Sequence, residues 1–287
     1  MNRRTFLARL AMCLGAVGFF PKTLTALASK AEPEPKEWEA RLFEINEVAK
    51  KYFHAALARS PEARDYIRNR LIPWNVVETF GLGFAPNDWN LKNHLEEKGF
   101  STAEAVGAGL LVVSEDGTPF DRVRNRIVFP VHGVDGKVLG FGGRVIDEKE
   151  PKYINGSRSL VYDKTKALYG LFEAQMKCRG RVFLVEGYFD VLTMVSNGIG
   201  NAVSVCGTNL STEHLKALKD CAREVVFAYD ADAAGNFAVK RAMPLCLAQN
   251  VRARVMELPE GYDPDSFIRE KGPEAFMDLA AKSRNPF

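Results

Sequence analysis

Six carboxylates stand in three pairs, each pair just past an apolar run. Glu186 and Asp190 lie in "VFLVEGYFDVLTMV", Asp230 and Asp232 follow "VVFAY", and Asp263 and Asp265 follow "VMELPEGY". Carboxylates gathered in one place repel, and few cations lie near these in the sequence. A divalent cation resolves that conflict. Oxygen donors without His or Cys suit a hard ion, Mg²⁺ or Mn²⁺. Such ions join carboxylates to substrate phosphates and stabilise charge during phosphoryl transfer. Gly187 and Gly235 would let a phosphate approach the backbone closely. Each acid taken singly has a plainer reading, because turns are polar and Asp232 suits a helix N-cap. Recurrence at three exits, with "DAD" and "DPD" pairs, favours a metal set of Glu186, Asp190, Asp230, Asp232, Asp263 and Asp265.

Bringing these acids together requires elements that end at one edge. From residue 167 onward the pattern alternates strand and helix. "RVFLVEG", "NAVSVCG", "EVVFAYD" and "RARVMELPEG" read as strands. "YFDVLTMVSNG", "STEHLKALKDC" and "AAGNFAVKRAMPLCLAQN" read as helices, the second capped by Ser211. Apolar strands alternating with helices predict a parallel sheet covered on both faces. Ligands of such sheets sit at the carboxyl ends of the strands. Asp190, one helical turn after Glu186, would face the same crevice.

Residues 38–166 read differently. Helical spacing covers 38–59, and Ser60-Pro61 opens a second helix. Three short helices and a short strand follow before about residue 110. The chain then becomes β-rich, with hairpin signals at Asp116-Gly117 and Asp135-Gly136. The predicted class is α/β plus α+β: a mixed N-terminal subdomain over 38–166, a largely parallel sheet flanked by helices over 167–265, and a tail over 266–287.

The formal net charge is +3, but residues 1–28 hold four basic side chains and no acid, leaving 35 basic against 36 acidic residues. No global positive field draws the chain to nucleic acid, so any such binding rests on a local patch. The five cysteines and four histidines are scattered and form no Cys-x-x-Cys pair, so no zinc is expected and the cysteines read as thiols. Residues 1–28, with Arg3-Arg4-Thr5-Phe6-Leu7, an apolar segment and "ALA", have the form of a twin-arginine export leader, and 29–37 that of a linker. The apolar segment is too short for a membrane span.

"VEGYFD", "CGTNLS" and "YDADAAG", in that order, resemble the Toprim domain. Ahead of them, "YIRNRLIPWNVVETFGLGFAP", "FDRVRNRIVFPV", "GKVLGFGGRVI" and "PKYINGS" resemble the catalytic core of DnaG-type bacterial DNA primase. The resemblance covers about residues 40–287. It implies RNA primer synthesis from ribonucleoside triphosphates on single-stranded DNA. It also implies catalytic roles for Glu186, Asp230 and Asp232, with Glu186 as general acid/base or metal organiser. Arg70 matches a basic position of the family's early helix motif.

Arg122, Arg124 and Arg126 alternate, so on a strand they would share one face. With Arg144, Lys152, Lys164 and Lys166 they are expected to form a groove for DNA and the nucleotide triphosphate. A solvated sheet edge is the plainer reading of such a face, and Tyr153 suits base stacking or core packing equally. The family's zinc-binding and helicase-binding modules are not expected within these residues, so a replicative helicase would be expected to engage through a module outside them. The substrates place the expected enzyme in the cytoplasm, with no stable membrane association; the leader form argues for export. A metal-dependent Toprim nuclease and a non-catalytic single-strand-binding fragment are the competing readings.

Overall fold

The computed structural model describes residues 35–88, 90–147, 151–178, 180–206 and 209–286. The leader and most of the linker lie outside the described residues. The chain forms two compact units. Of the described residues, the first comprises 35–66, 81–130 and 137–163; the second comprises 67–80, 131–136 and those from 164 to 286. Among the described residues no helix is long and apolar enough to cross a membrane.

The first unit begins with α1 (Pro35–Arg59). Leu42, Ile45, Ala49 and Phe53 recur at helical spacing and are buried on one face. Next comes α2 (Pro61–Asn69), whose start is capped by the Ser60 hydroxyl accepting from Ala63 N–H at 3.2 Å; α3 (Trp74–Phe80), after it in the chain, belongs to the second unit. Then follow β1 (Gly83–Ala85), α4 (Leu91–Glu97), α5 (Thr102–Gly107), β2 (Leu111–Val113), β3 (Pro119–Asp121), β4 (Arg126–His132), β5 (Val138–Val145) and β6 (Tyr153–Asn155). The sheet order is β1-β4-β5-β6, with β2 and β3 a separate antiparallel pair. The α1 face packs on Ala85, Leu91, Val128, Val138 and Phe141. β1 approaches α1 so closely that a Cβ at Gly83 would lie 2.4 Å from Phe53 Cβ, which accounts for glycine there.

One expectation fails in this unit. Arg122 and Arg124 do not share a strand face with Arg126, because Arg122–Asn125 lies between strands and only Arg126 is in β4. Asn125 has φ 48°, a left-handed conformation that breaks the alternation.

The second unit carries α6 (Leu171–Ala174), β7 (Arg181–Val185), α7 (Tyr188–Ser196), β8 (Ala202–Ser204), α8 (Thr212–Cys221), β9 (Glu224–Phe227), α9 (Ala233–Ala248), β10 (Arg252–Val255), α10 (Pro264–Lys271) and α11 (Pro273–Ala281). Its sheet has order β10-β9-β7-β8, and every pair is parallel. Val182, Leu184, Val225 and Phe227 from the strands meet Leu215, Leu218, Ala242 and Cys246 from the helices in one buried cluster. Central strands buried on both faces explain the unbroken apolar runs in the sequence. The cysteines differ from expectation: Cys178 and Cys221 form a disulfide, with Cα atoms 6.3 Å apart, while Cys206 and Cys246 are buried thiols.

Candidate active site

Parallel pairing of β7 with β9 carries their carboxyl ends to the same edge, and the acids follow. Glu186 leaves β7 half-buried, and its backbone carbonyl accepts from the Ser204 hydroxyl at 2.6 Å. Asp230 leaves β9, and its N–H donates to Glu186 Oε1 at 3.1 Å. Asp232 caps α9, accepting from Gly235 N–H at 2.7 Å. Gly235 makes this packing possible: a Cβ there would lie 2.3 Å from the Asp230 carbonyl oxygen and 2.9 Å from Glu186 Oε1.

The electrostatics follow from that crowding. Burial pushes the Asp230 carboxyl up to about 7, reinforced by Glu186, Asp263 and Asp232. Its Oδ1 is buried and has no hydrogen-bond partner. Burial also raises the Glu186 carboxyl, and Asp232 adds to the rise against the Asp230 N–H, which lowers it. Burial raises Asp190 well above the usual carboxylate range, with Asp230 and Asp263 adding to the effect.

The remaining predicted ligands have local partners. Asp190 accepts from Gly187 N–H at 2.8 Å and Asp265 N–H at 3.3 Å, so it ties the start of α7 to the start of α10. Asp263 caps α10, accepting from Ser266 N–H at 2.6 Å. Asp265 is buried and receives the Thr193 hydroxyl at 2.6 Å, Arg70 at 2.9 Å and Arg269 at 3.0 Å. Two guanidiniums already answer its charge. Among the described residues no three His, Cys, Asp or Glu side chains converge tightly enough to hold one ion together. Glu186, Asp230 and Asp232 are nevertheless electrostatic neighbours.

The basic residues are placed as follows. Arg70 pairs with Asp265 and lies 4.8 Å over the Phe189 ring. Arg122 donates to the Asn155 carbonyl at 3.2 Å, and buried Arg126 donates to the Lys152 carbonyl at 3.2 Å. Arg124 lies 6.0 Å over Phe120. Arg144 donates to the Tyr66 hydroxyl at 2.5 Å and to the Tyr153 hydroxyl, so Tyr153 serves Arg144. Lys152 and Lys166 are exposed, and Lys164 is half-buried with its carbonyl accepting from His214. Sequence reasoning missed Thr193, Ser204 and Arg269. Arg269, one helical turn after Asp265, carried a readable signal; the other two carried none.

Residues 52–175 match the family "DNA primase catalytic core, N-terminal domain", and residues 183–268 match "Toprim-like". A solved DnaG primase catalytic domain bound to ssDNA is 32% identical, with a TM-score of 0.81, over 87% of this chain and 83% of that one. The chain belongs to the DnaG-type primase catalytic-core family. The E. coli primase catalytic core is 34% identical to this DnaG-type chain, with a TM-score of 0.78, over 84% of it and 80% of the E. coli core. Among curated relatives, the DNA primase of Clostridium acetobutylicum is 38% identical over 246 residues, 85% of this chain and 41% of its own length. The DNA primase of Pseudomonas putida is 37% identical over 280 residues, 90% of this chain and 42% of its own length. The chain therefore spans about two-fifths of those primases' length.

Proposed function

We propose that this chain performs metal-dependent phosphoryl transfer, adding ribonucleotides to an RNA primer on a single-stranded DNA template. The observation that carries this reading is Asp230. Its buried oxygen lacks a donor, and its carboxyl is pushed up to about 7 beside Glu186. A buried carboxylate oxygen that no side chain or backbone group meets fits a cation as its partner. The donors are all oxygens, which suits Mg²⁺ or Mn²⁺ over zinc. Glu186, Asp230 and Asp232 are the residues that would hold it; Asp190, Asp263 and Asp265 support the loops that present them. When bound, the cation supplies charge stabilisation at the attacking and leaving oxygens.

The chain's own residues set the geometry. Asp230 N–H fixes the Glu186 carboxylate, whose raised proton affinity suits it to take a proton from the primer hydroxyl. Asp232 holds the first turn of α9. Exposed Lys152 and Lys166 are candidate contacts to template or triphosphate, while Arg122 and Arg126 brace β6 through its neighbouring carbonyls. The similar DnaG primase catalytic domain is bound to ssDNA, which supports a DNA template here. Ribonucleoside triphosphates as substrates favour a cytoplasmic site of action, and a helicase partner belongs to the same reading. The test is primer synthesis from labelled ribonucleotides on single-stranded DNA with Mg²⁺ or Mn²⁺. Product from the wild type and none from Asp230→Ala supports the reading; indistinguishable results from the two overturn it.

A further inference from the structure

The acids sit at the carboxyl ends of the strands; the amino ends of the same four strands enclose something different. There lies a cavity of about 880 Å³ lined by Lys177, Arg181, Arg223, Arg252 and Glu224, with glycine backbone between them. Arg252 opens β10, Arg223 precedes β9 and Arg181 opens β7. Lys177 lies across Gly200, at the entry to β8: a Cβ on Gly200 would come within 2.4 Å of its Cδ and 3.2 Å of its Nζ. The sheet order is β10-β9-β7-β8, so the four cations follow one another across the sheet in strand order. Strand spacing of about 4.8 Å makes this a row of roughly 14 Å.

Arg181 is answered by Glu224 at 2.8 Å. The side chains of Lys177, Arg223 and Arg252 are exposed and have no hydrogen-bond or ion-pair partner among the described residues. Like charges set side by side raise the local positive potential even in solvent, and a ligand with repeated negative charge is attracted to it. None of the described lining residues is aromatic, so the cavity offers neither a base-stacking platform nor the aromatic anchor of a protein interface. Arginine forks beside exposed glycine backbone suit phosphate oxygens.

We propose that this groove binds the phosphodiester backbone of single-stranded nucleic acid, without regard to sequence, at the end of the sheet opposite the acids. The site does not depend on the phosphoryl-transfer reading. Its test uses the full chain and a labelled twelve-nucleotide oligothymidylate in EDTA, with fluorescence anisotropy across a salt series. Lys177→Gln/Arg223→Gln/Arg252→Gln is expected to flatten the slope of log K against log salt by about 2, from roughly 0.7 per phosphate contact on a single strand. Arg223→Lys/Arg252→Lys is expected to keep the wild-type slope. A triple variant with the wild-type melting profile and the wild-type slope overturns the proposal. So does displacement of the oligonucleotide from this groove by polyglutamate as readily as by polyphosphate, which would assign it to an acidic protein segment.

Discussion

Asp230 and Asp265 are both aspartates beyond a strand, yet their surroundings give them opposite tasks. Asp230 keeps an unmet buried oxygen, whereas Asp265 is met by Thr193, Arg70 and Arg269. Asp230→Asn should therefore lower primer synthesis by more than about 100-fold, judged by labelled ribonucleotide incorporation, with the fold intact by circular dichroism. Asp265→Asn should behave differently. Removing one member of a buried ion-pair cluster costs about 3 kcal/mol in denaturant unfolding, while Mn²⁺ affinity stays within about threefold of wild type. A loss of Mn²⁺ binding without a loss of stability would instead make Asp265 a ligand. The raised Asp230 carboxyl also sets a pH dependence. Its ordinary value is 3.8 and its folded value about 7, so within that window the folded chain holds a proton the unfolded chain has released. Stability therefore falls as pH rises from about 4 to about 7. A cation favours the ionised form and cancels the difference. The melting temperature in EDTA should decline across that window, and the increment from saturating Mg²⁺ should grow with pH; a constant increment would contradict the assignment.

At the scale of elements, the first turn of α9 controls the site. Gly235→Ala would force a methyl against the Asp230 carbonyl and Glu186 Oε1. Relieving that overlap moves α9 or the Glu186 side chain, at a cost of about 1–3 kcal/mol, and primer synthesis should drop with it. Full activity with unchanged stability would show that the contact is not kept in solution. The strand exits were legible because Val182, Leu184, Val225 and Phe227 are buried and their runs end abruptly in acid. Apolar strands separated by helical spacing leave few topologies open, and the parallel sheet follows. The Arg70–Asp265 pair was illegible, because 195 residues separate its members and no local pattern joins them. The Arg122–Arg126 alternation misled for a related reason: Asn125 turns left-handed without a glycine to announce it.

At the scale of the whole molecule, the two ends of the parallel sheet carry opposite charge. Acids collect at the carboxyl ends of β7 and β9, and a row of four cations, of which Arg181 is paired with Glu224, crosses the amino ends of all four strands. The chain spans about two-fifths of the length of the curated primases it matches. The full chain should extend primers on single-stranded DNA, and the Asp230 variant should fail to do so. The central claim is that Glu186, Asp230 and Asp232 share a divalent cation, and Mn²⁺ binding followed by electron paramagnetic resonance tests it most directly. Wild-type protein should remove free Mn²⁺ signal saturably, Mg²⁺ should compete, and Asp230→Asn or Glu186→Gln should abolish the uptake. Equal Mn²⁺ uptake by wild type and both variants would contradict the account.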